Sequence, residues 1–189
     1  LVRGLTQSYN LATVNLGLDV GLGPVAKTYV QLGLDEAPPK YASILLGTAQ
    51  LNPVEVAQMY NTLANGGFRS PLRAVRAVID EQGKALKAPE LEVTEAAPAE
   101  AVYTLNRMLI EVFERGTARP AKKALPPGLV VAGKTGTSND YRDSWFAGFS
   151  GGHVIVVWMG HDDSATTGLT GTTGALQAWT RLRASISTT

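Results

Sequence analysis

The chain has 189 residues, which is enough for one domain with a buried core or for a large part of one. Its 17 lysines and arginines nearly cancel its 16 aspartates and glutamates, so the charge balance favours neither nucleic acid nor a membrane surface as a partner. It contains no cysteine, which excludes disulfides and thiol catalysis. No stretch approaches the roughly 18 apolar residues that a membrane-spanning helix needs.

The first third of the chain is predicted to be helical. Helices are expected over residues 1–7 and 11–20, on either side of a polar break formed by Ser8, Tyr9 and Asn10. Another is expected over residues 24–32, with Gly33 as its stop. Since the helical pattern is already established at the first residue, without a start methionine or a cap, we expect the chain to be part of a longer protein.

Two further helices carry clear signals. Asn52, Pro53 and Glu55 form the start of one, as cap, first helical residue and partner in a capping box, and the pattern runs to Ala64. The other covers residues 99–115, where apolar side chains recur at helical spacing. Its predicted buried stripe consists of Val102, Leu105, Leu109 and Val112.

Strands are predicted in two parts of the chain. Residues 72–80 and 84–88 are expected to form a small hairpin around a turn at 81–83. The main sheet is expected from three later segments, of which the last two are joined by a tight hairpin at 150–152. These three segments are residues 129–135, 144–149 and 154–159.

The chain is predicted to close with a helix, which a loop rich in glycine and threonine at 165–174 separates from the last strand. Its expected buried positions are Ala175, Ala178, Trp179, Leu182 and Ile186. Helices first, then antiparallel strands and a closing helix indicate an α+β fold in which an antiparallel sheet is covered by helices.

The segment 128–140 contains two overlapping motifs. Its first part, GLVVAGKT, fits the Walker A pattern of phosphate-binding loops. Such a loop follows a strand and opens a helix, whereas here Pro126 and Pro127 come before it and a polar Gly-Thr-Ser-Asn-Asp run comes after it. The apolar run within the motif favours a strand instead of a curled loop. The Walker A match is therefore interpreted as a coincidence.

The second motif is Lys134-Thr135-Gly136, at the end of a predicted strand. An edge strand can align an extended peptide by main-chain hydrogen bonds, and Gly136 would leave room for that peptide to come close. Lys134 would place a positive charge beside a reacting carbonyl or a carboxylate, and Thr135 and Thr137 would add hydroxyl donors. Taken alone, the motif also fits an ordinary strand end with a solvated lysine.

A second element lies far upstream, where Ser8 and Asn10 are two residues apart at the break between helices. Both side chains can point into one cleft, the serine to relay a proton and the asparagine to bind an amide, although a turn or a helix cap explains them equally well. In this order and context, the two motifs match the S-x-N and K-T-G members of the set S-x-x-K, S-x-N and K-T-G found in serine β-lactamases and penicillin-binding proteins.

Longer strings extend the match over nearly the whole chain. They are LTQSYNLATVNLGLDVGL around Ser8, LLGTAQLNPVEVAQMYNTLANGG, the RGTA that begins at Arg115, and AGKTGTSNDYRDSWFAGF. On these strings the chain resembles the C-terminal part of the transpeptidase domain of class A, bifunctional penicillin-binding proteins. The resemblance implies that residues 1–189 are the C-terminal portion of such a domain, with part of a serine β-lactamase/transpeptidase-like fold.

The resemblance also implies a role for each motif residue. Ser8 would lie between Lys134 and the general-base lysine of S-x-x-K, and it would pass a proton to the leaving D-alanine while Lys134 polarises it. Asn10 would hold the side-chain amide of the donor stem peptide. Thr135 and Thr137 would bind the terminal carboxylate of D-Ala-D-Ala or of a β-lactam. The backbone N–H of Thr137 would supply half of the oxyanion hole.

One part of the family's machinery is not found in this sequence. The nucleophilic serine and its lysine belong to S-x-x-K, which in the family precedes S-x-N, and the spacing that begins at Ser70, Ser-Pro-Leu-Arg, does not fit. We therefore expect the nucleophile to lie upstream of Leu1, and we expect the isolated chain to form no acyl-enzyme with penicillin.

The resemblance implies partners and a cellular setting as well. The expected partners are peptidoglycan stem peptides ending in D-Ala-D-Ala, β-lactam antibiotics and the N-terminal part of the same domain, with no nucleic acid. The full protein would carry a membrane anchor and a glycan-polymerising domain, and this part of it would face the periplasm.

Two rival functions are weighed against this interpretation. A β-lactam hydrolase would need a deacylating water, and the Glu-x-x-Leu-Asn segment that positions this water in class A β-lactamases is not found between the two motifs. A catalytically inactive penicillin-fold domain that serves as a binding module is disfavoured because the residues of both motifs are intact.

Other conspicuous residues are interpreted as structural. Asp143, Trp145 and Phe146, which follow the Lys-Thr-Gly motif, are expected to support the sheet. His153 and His161 are interpreted as ordinary strand and loop residues. No metal and no other cofactor is expected.

Overall fold

The computed structural model describes residues 1–75, 77–86 and 90–186. Its first third is helical, as predicted, with α1 (Val2–Thr6), α2 (Asn10–Val20) and α3 (Leu22–Leu32). A short 3₁₀ helix (Ala42–Leu46), which the sequence analysis missed, follows them. Across the described ranges, no helix has both the length and the apolar character that crossing a bilayer requires.

Helix α4 (Pro53–Ala64) begins as the sequence predicts. The side chain of Asn52 accepts hydrogen bonds from the backbone N–H groups of Val54, at 2.9 Å, and Glu55, at 3.0 Å. In return, the Glu55 carboxylate accepts from the Asn52 N–H at 2.7 Å. The capping box is confirmed, and it satisfies backbone donors that the first turn of a helix leaves without partners.

The small β unit in the middle of the chain is less regular than predicted. Two-residue strands β1 (Phe68–Arg69) and β2 (Thr94–Glu95) pair antiparallel outside the predicted hairpin. The hairpin itself is reduced to a bridge between Ile79 and Ala85, and positions 76, 87 and 88 of its predicted strands lie outside the described residues. Since Val75, Val78 and Ile79 are all exposed, the described residues of this unit form no buried face that would stabilise a longer ladder.

Helix α5 (Ala99–Arg115) leads into the main sheet, which contains β3 (Ala132–Thr137), β4 (Ser144–Ser150) and β5 (His153–Met159). The strands are antiparallel in the order β3-β4-β5, with Lys134 opposite Ala147 and Ala147 opposite Val156. Within the described part of the chain, β3 therefore has a strand on one side only. The Lys134 side chain of β3 reaches Ser8 in the turn between α1 and α2.

The position of β3 differs from the prediction. The apolar run at 129–131 precedes the strand, because Val131 is buried in the core and Leu129 packs against it instead of pairing with β4. The ladder with β4 then carries β3 on through Gly136 and Thr137. Lys134 consequently lies in the middle of the strand and not at its end.

Each face of the sheet is covered by an apolar cluster. Phe146 and Phe149 are three residues apart on β4, so they point to opposite faces. Phe146 packs among residues of α5 and α6 (Ala175–Ser185), whereas Phe149 packs against a cluster drawn from α4, α5 and β3. The first cluster includes three mutually packed aromatic rings, those of Phe113, Phe146 and Trp179.

The buried side of the closing helix is only partly as predicted. Ala175 and Trp179 are fully buried, whereas Leu182 is 47% exposed and the neighbouring Arg183 is fully buried in its place. The Nε of Arg183 donates to the Ser150 hydroxyl at 2.5 Å, and its Nη1 donates to the Ile186 carbonyl at 3.1 Å. The long arginine thus bonds to the end of β4 and to the end of its own helix, and it occupies the buried side of α6 that was predicted for Leu182.

Candidate active site

Ser8 lies in the short turn that joins α1 to α2. Its backbone adopts a φ of 55°, in the left-handed region that residues other than glycine rarely enter. The turn is held by hydrogen bonds from the Ser8 N–H to the Leu5 carbonyl, at 3.2 Å, and from the Tyr9 N–H to the Gly4 carbonyl, at 2.9 Å. The strained backbone presents an exposed serine hydroxyl beside the edge of the sheet.

Lys134 reaches this hydroxyl from β3. Its Nζ donates to Ser8 Oγ at 2.5 Å and to the carbonyl oxygen of Thr135 at 3.0 Å. The structure therefore brings together the two residues that were predicted to be catalytic, although 126 positions separate them along the chain. Because the backbone around Lys134 is an extended strand, a loop curled around a phosphate is excluded.

The electrostatic setting of Lys134 is unusual for a lysine. The side chain is half-buried, and in the part of the chain that the structure describes no carboxylate forms an ion pair with it. Burial lowers the pKa of Lys134 from 10.5 to about 8. Since neutral pH is still below this pKa, Lys134 remains mostly protonated. Its positive charge lies beside a serine oxygen and has no carboxylate partner among the described residues.

The two threonines of the motif region are each held by a neighbour. The hydroxyl of Thr135 forms a hydrogen bond of 2.7 Å with the hydroxyl of Thr117. The hydroxyl of Thr137 accepts a hydrogen bond from the backbone N–H of Gly171 at 2.8 Å. Since a hydroxyl can accept and donate at once, Thr137 keeps its own proton for an acceptor in the groove.

Thr117 belongs to the RGTA turn at the end of α5, for which no role was predicted. Its backbone N–H donates to the Thr6 carbonyl at 3.1 Å, and its carbonyl accepts from the Thr172 hydroxyl at 3.2 Å. Gln7 adds a hydrogen bond of 2.7 Å from its side-chain amide to the Arg115 carbonyl. The turn after α5 therefore joins the Ser8 turn to the sheet, and the only sequence signal for it was its place in the resemblance.

The glycine- and threonine-rich loop at 165–174 also reaches the site. A Cβ added to Gly171 would lie 2.5 Å from the Gly136 carbonyl oxygen and 2.8 Å from the Trp145 carbonyl oxygen. Only glycine allows the loop backbone to come this close to β3 and β4. The loop was predicted from its composition, whereas its contact with Thr137 has no signal in the sequence.

The remaining predicted site residues lie near this centre without joining its hydrogen bonds. Asn10 is exposed at the start of α2, and in the described residues its side chain has no hydrogen-bond partner. Gly136 lies between the two threonines on β3, where an added Cβ would lie 3.1 Å from the Trp145 Cβ. The structure thus gives Gly136 a packing constraint in addition to the predicted approach of a peptide.

The residues that follow the motif support the sheet. Phe146 is fully buried in the aromatic cluster, and the carboxylate of Asp143 accepts a hydrogen bond from the Trp158 indole N–H at 2.9 Å. The ring of Trp145 packs at 6.2 Å from that of Trp158. These contacts brace the end of β4 next to Thr137.

The histidines take no part in this centre. His153 contacts the carbonyl of Gly151 in its own hairpin at 2.9 Å, and His161 is exposed just after β5. Over the described ranges, no group of three or more His, Cys, Asp and Glu side chains is arranged to hold a metal ion.

The sequence matches a known protein family over most of its length. The chain matches the family model of the penicillin-binding protein transpeptidase domain over residues 1–178. It is 44% identical over 183 residues to Penicillin-binding protein 1B of Escherichia coli (strain K12), an alignment that covers 96% of the chain and 21% of that protein. It is 39% identical over 180 residues to Penicillin-binding protein 1B of Haemophilus influenzae, with coverage of 95% and 23%. The chain thus spans less than a quarter of the length of these relatives.

Solved structures share the fold. The crystal structure of Penicillin-Binding Protein 1A from Haemophilus influenzae superposes with a TM-score of 0.90 at 21% identity, over 99% of this chain and 34% of that one. The PonA1 protein from Mycobacterium tuberculosis, solved in complex with penicillin V, superposes with a TM-score of 0.81 at 21% identity, over 100% of this chain and 57% of that one. At these identities the likeness establishes the fold alone, and it confirms the predicted α+β, transpeptidase-like architecture.

Proposed function

This chain belongs to the penicillin-binding protein transpeptidase family, and from that premise we propose that the protein containing it cross-links peptidoglycan stem peptides through a serine acyl-enzyme. In this reaction the nucleophilic serine attacks the carbonyl of the penultimate D-alanine, and the terminal D-alanine leaves. An amine of a second stem peptide then takes the acyl group and releases the serine. β-Lactams acylate the same serine.

The contact between Lys134 and Ser8 carries the proposal. An ammonium at 2.5 Å from Ser8 Oγ stabilises negative charge on that oxygen and leaves the serine proton free to be transferred. Ser8 is therefore suited to relay a proton to the departing amine. Lys134 acts as the charge that keeps this relay oriented, and with a pKa of about 8 it remains mostly protonated at neutral pH.

The groove beside β3 supplies donors for the substrate. The Thr137 hydroxyl accepts from the Gly171 N–H and can still donate its own proton, and such a donor suits the terminal carboxylate of D-Ala-D-Ala or of a β-lactam. Thr135 contributes a second hydroxyl, and Lys134 contributes the positive charge. The free edge of β3 is available for main-chain pairing with an extended peptide, with Gly136 leaving room for it. Asn10, two residues from Ser8, is assigned to the side-chain amide of the donor peptide.

The nucleophile and its lysine are assigned to a preceding segment of the same domain. The chain spans 21% of the length of the Escherichia coli relative, so a full-length protein has ample room for an S-x-x-K segment. We assign residues 1–189 to the C-terminal portion of the domain. A membrane anchor outside this chain would hold the domain on the periplasmic side of the inner membrane, where its substrate is found.

The structures of more distant members support β-lactam binding. PonA1 was solved in complex with penicillin V, and penicillin-binding protein A from Mycobacterium tuberculosis was solved as an imipenem acyl-enzyme, with a TM-score of 0.74 to this chain. Both share the fold of this chain. The protein containing this chain is accordingly proposed as a target of β-lactam antibiotics.

Fluorescent penicillin tests the proposal. The full-length protein should become covalently labelled and should keep the label over the time of a cross-linking assay with a lipid-linked peptidoglycan precursor. The variant Ser8→Ala should be labelled more slowly by about 10²- to 10³-fold, because the relay oxygen is lost. The isolated 189-residue chain should remain unlabelled.

Two outcomes would favour a rival function, and a third would move the nucleophile into this chain. Label that is released within minutes, with the penicillin hydrolysed, would indicate a β-lactamase. A full-length protein that binds penicillin reversibly but never covalently would indicate a binding module. Covalent labelling of the isolated chain would refute the assignment of the nucleophile to a preceding segment.

A further inference from the structure

Thr117 is the point at which three parts of the candidate site meet. Its backbone N–H contacts Thr6 in the turn before Ser8, its hydroxyl contacts Thr135 on β3, and its carbonyl contacts Thr172 in the 165–174 loop. All three of its polar groups are thus used, and each binds a different part of the chain. The side chain is half-buried, so solvent competes only partly for these bonds.

We infer that Thr117 is a positioning residue for this site, which holds the Thr135 hydroxyl as a donor and fixes β3 against the Ser8 turn. The inference rests on the proposed function and adds to it a residue in the turn after α5. Thr117 acts through Thr135 and through Thr6, and no direct contact with the substrate is assigned to it.

The positions of the hydroxyl oxygens around Thr135 support this role. The hydroxyls of Thr117 and Thr135 form a hydrogen bond of 2.7 Å, in which either can be the donor. Lys134 Nζ also lies 3.4 Å from Thr135 Oγ1. The ammonium repels a hydroxyl proton that points toward it. When an anionic carboxylate enters the groove, the favourable arrangement is a chain in which Thr117 donates to Thr135 and Thr135 donates to the carboxylate. Without the Thr117 hydroxyl, Thr135 loses the donor that fixes its orientation.

The turn that carries Thr117 has little freedom to move. A Cβ added to the preceding Gly116 would lie 2.5 Å from the Thr6 carbonyl oxygen, and the following Ala118 is fully buried. The Thr117 N–H bond to Thr6 belongs to the backbone, so it persists when the side chain is changed. A substitution of the side chain therefore tests the hydroxyl separately from the turn.

The experiment measures the rate constant for acylation of the full-length protein by fluorescent penicillin. Thr117→Val, which keeps the shape and removes the hydroxyl, should lower this rate constant about tenfold, which is at the upper end of what one neutral hydrogen bond contributes. Thr117→Ser, which restores the hydroxyl, should return the rate constant to within about threefold of the unaltered protein. Thr104→Val on α5 is the matched control, since the exposed Thr104 hydroxyl donates to the Glu100 carbonyl of its own helix, at 2.8 Å.

A double-mutant cycle distinguishes positioning from a general structural effect. If Thr117 acts through Thr135, then adding Thr117→Val to Thr135→Val should change the rate constant by less than about twofold. The inference is overturned if Thr117→Val is acylated at the unaltered rate, if Thr117→Ser fails to restore the rate, or if the two losses multiply in the double variant. A full-length protein that takes no label at all would overturn the proposed function itself, which is a different result.

Discussion

Two neighbouring regions of the sheet are built from different interactions. On one face, Phe146 packs against Trp179 and Phe113 with ring centroids 5.1 and 5.7 Å away, and all three rings are buried. Beside the free edge of β3, the contacts are instead hydrogen bonds between hydroxyls, an ammonium and backbone groups. The first region excludes water, whereas the second is half-open and polar.

The aromatic cluster is expected to stabilise the fold, whereas the polar groove is expected to carry the chemistry. Removing a buried ring leaves a cavity that the surroundings fill only in part, so the aromatic cluster stabilises the fold. The polar groove contains features that oppose folding, namely the left-handed backbone of Ser8, which costs about 1–3 kcal/mol, and a half-buried ammonium that has no carboxylate partner among the described residues. A fold keeps such features where the function requires them, and four predictions test whether the two regions are as distinct as this comparison states.

The largest expected effect is on stability. Trp179→Ala should lower the free energy of unfolding by about 3–5 kcal/mol, because it removes the centre of the aromatic cluster. Chemical denaturation of the full-length protein measures this, with Tyr103→Ala, at an aromatic residue that is 68% exposed, as the control. The fraction that remains folded should be acylated at the unaltered rate. A loss below about 1 kcal/mol would show that the cluster does not carry the stability assigned to it.

The second prediction concerns the groove, where a substitution should slow acylation without lowering stability. Lys134→Met should lower the rate constant of acylation by about 10²- to 10³-fold, since it removes the charge that orients Ser8. The same change should leave the unfolding free energy unchanged or raise it, because a half-buried ammonium is replaced by an apolar chain of similar length. Lys123→Met, at an exposed lysine, is the control for the loss of one positive charge. Marked destabilisation by Lys134→Met would mean that Lys134 supports the fold as well as the chemistry.

The third prediction concerns pH. If the protonated form of Lys134 is required, acylation should fall as the pH rises through about 8, by about tenfold per unit above it. Stability should respond to pH in the opposite direction from acylation. Because the pKa of Lys134 is lower in the folded state, the unfolded state binds more protons between about 8 and 10.5, and the contribution of Lys134 to stability therefore increases with pH across that window. Loss of activity at pH 9 without loss of folded protein identifies the titration, and a rate that stays level to pH 9.5 contradicts it.

The sequence predicted the helices better than it predicted the polar groove, for physical reasons. Periodicity and capping located the helices, since these depend on nearby residues such as Asn52 and Glu55. The contact between Ser8 and Lys134 followed from a family resemblance, because no local rule links residues so far apart. Thr117 and Gly171 were missed as site residues, since their roles arise only where the chain folds back on β3. The start of β3 was misplaced because the ladder with β4, and not strand propensity, decides it.

The smallest expected effect concerns the closing helix, where the sequence pattern assigned Leu182 to the core. Leu182→Ala should change the unfolding free energy by less than about 0.5 kcal/mol, since the side chain is 47% exposed. Leu176→Ala, the same change at a fully buried position of the same helix, should lower it by about 2–5 kcal/mol. Chemical denaturation of the two variants compares them directly. Equal losses would mean that α6 packs with Leu182 inward, and the burial of Arg183 against Ser150 would then be wrong as well, because one rotation of the helix fixes both side chains.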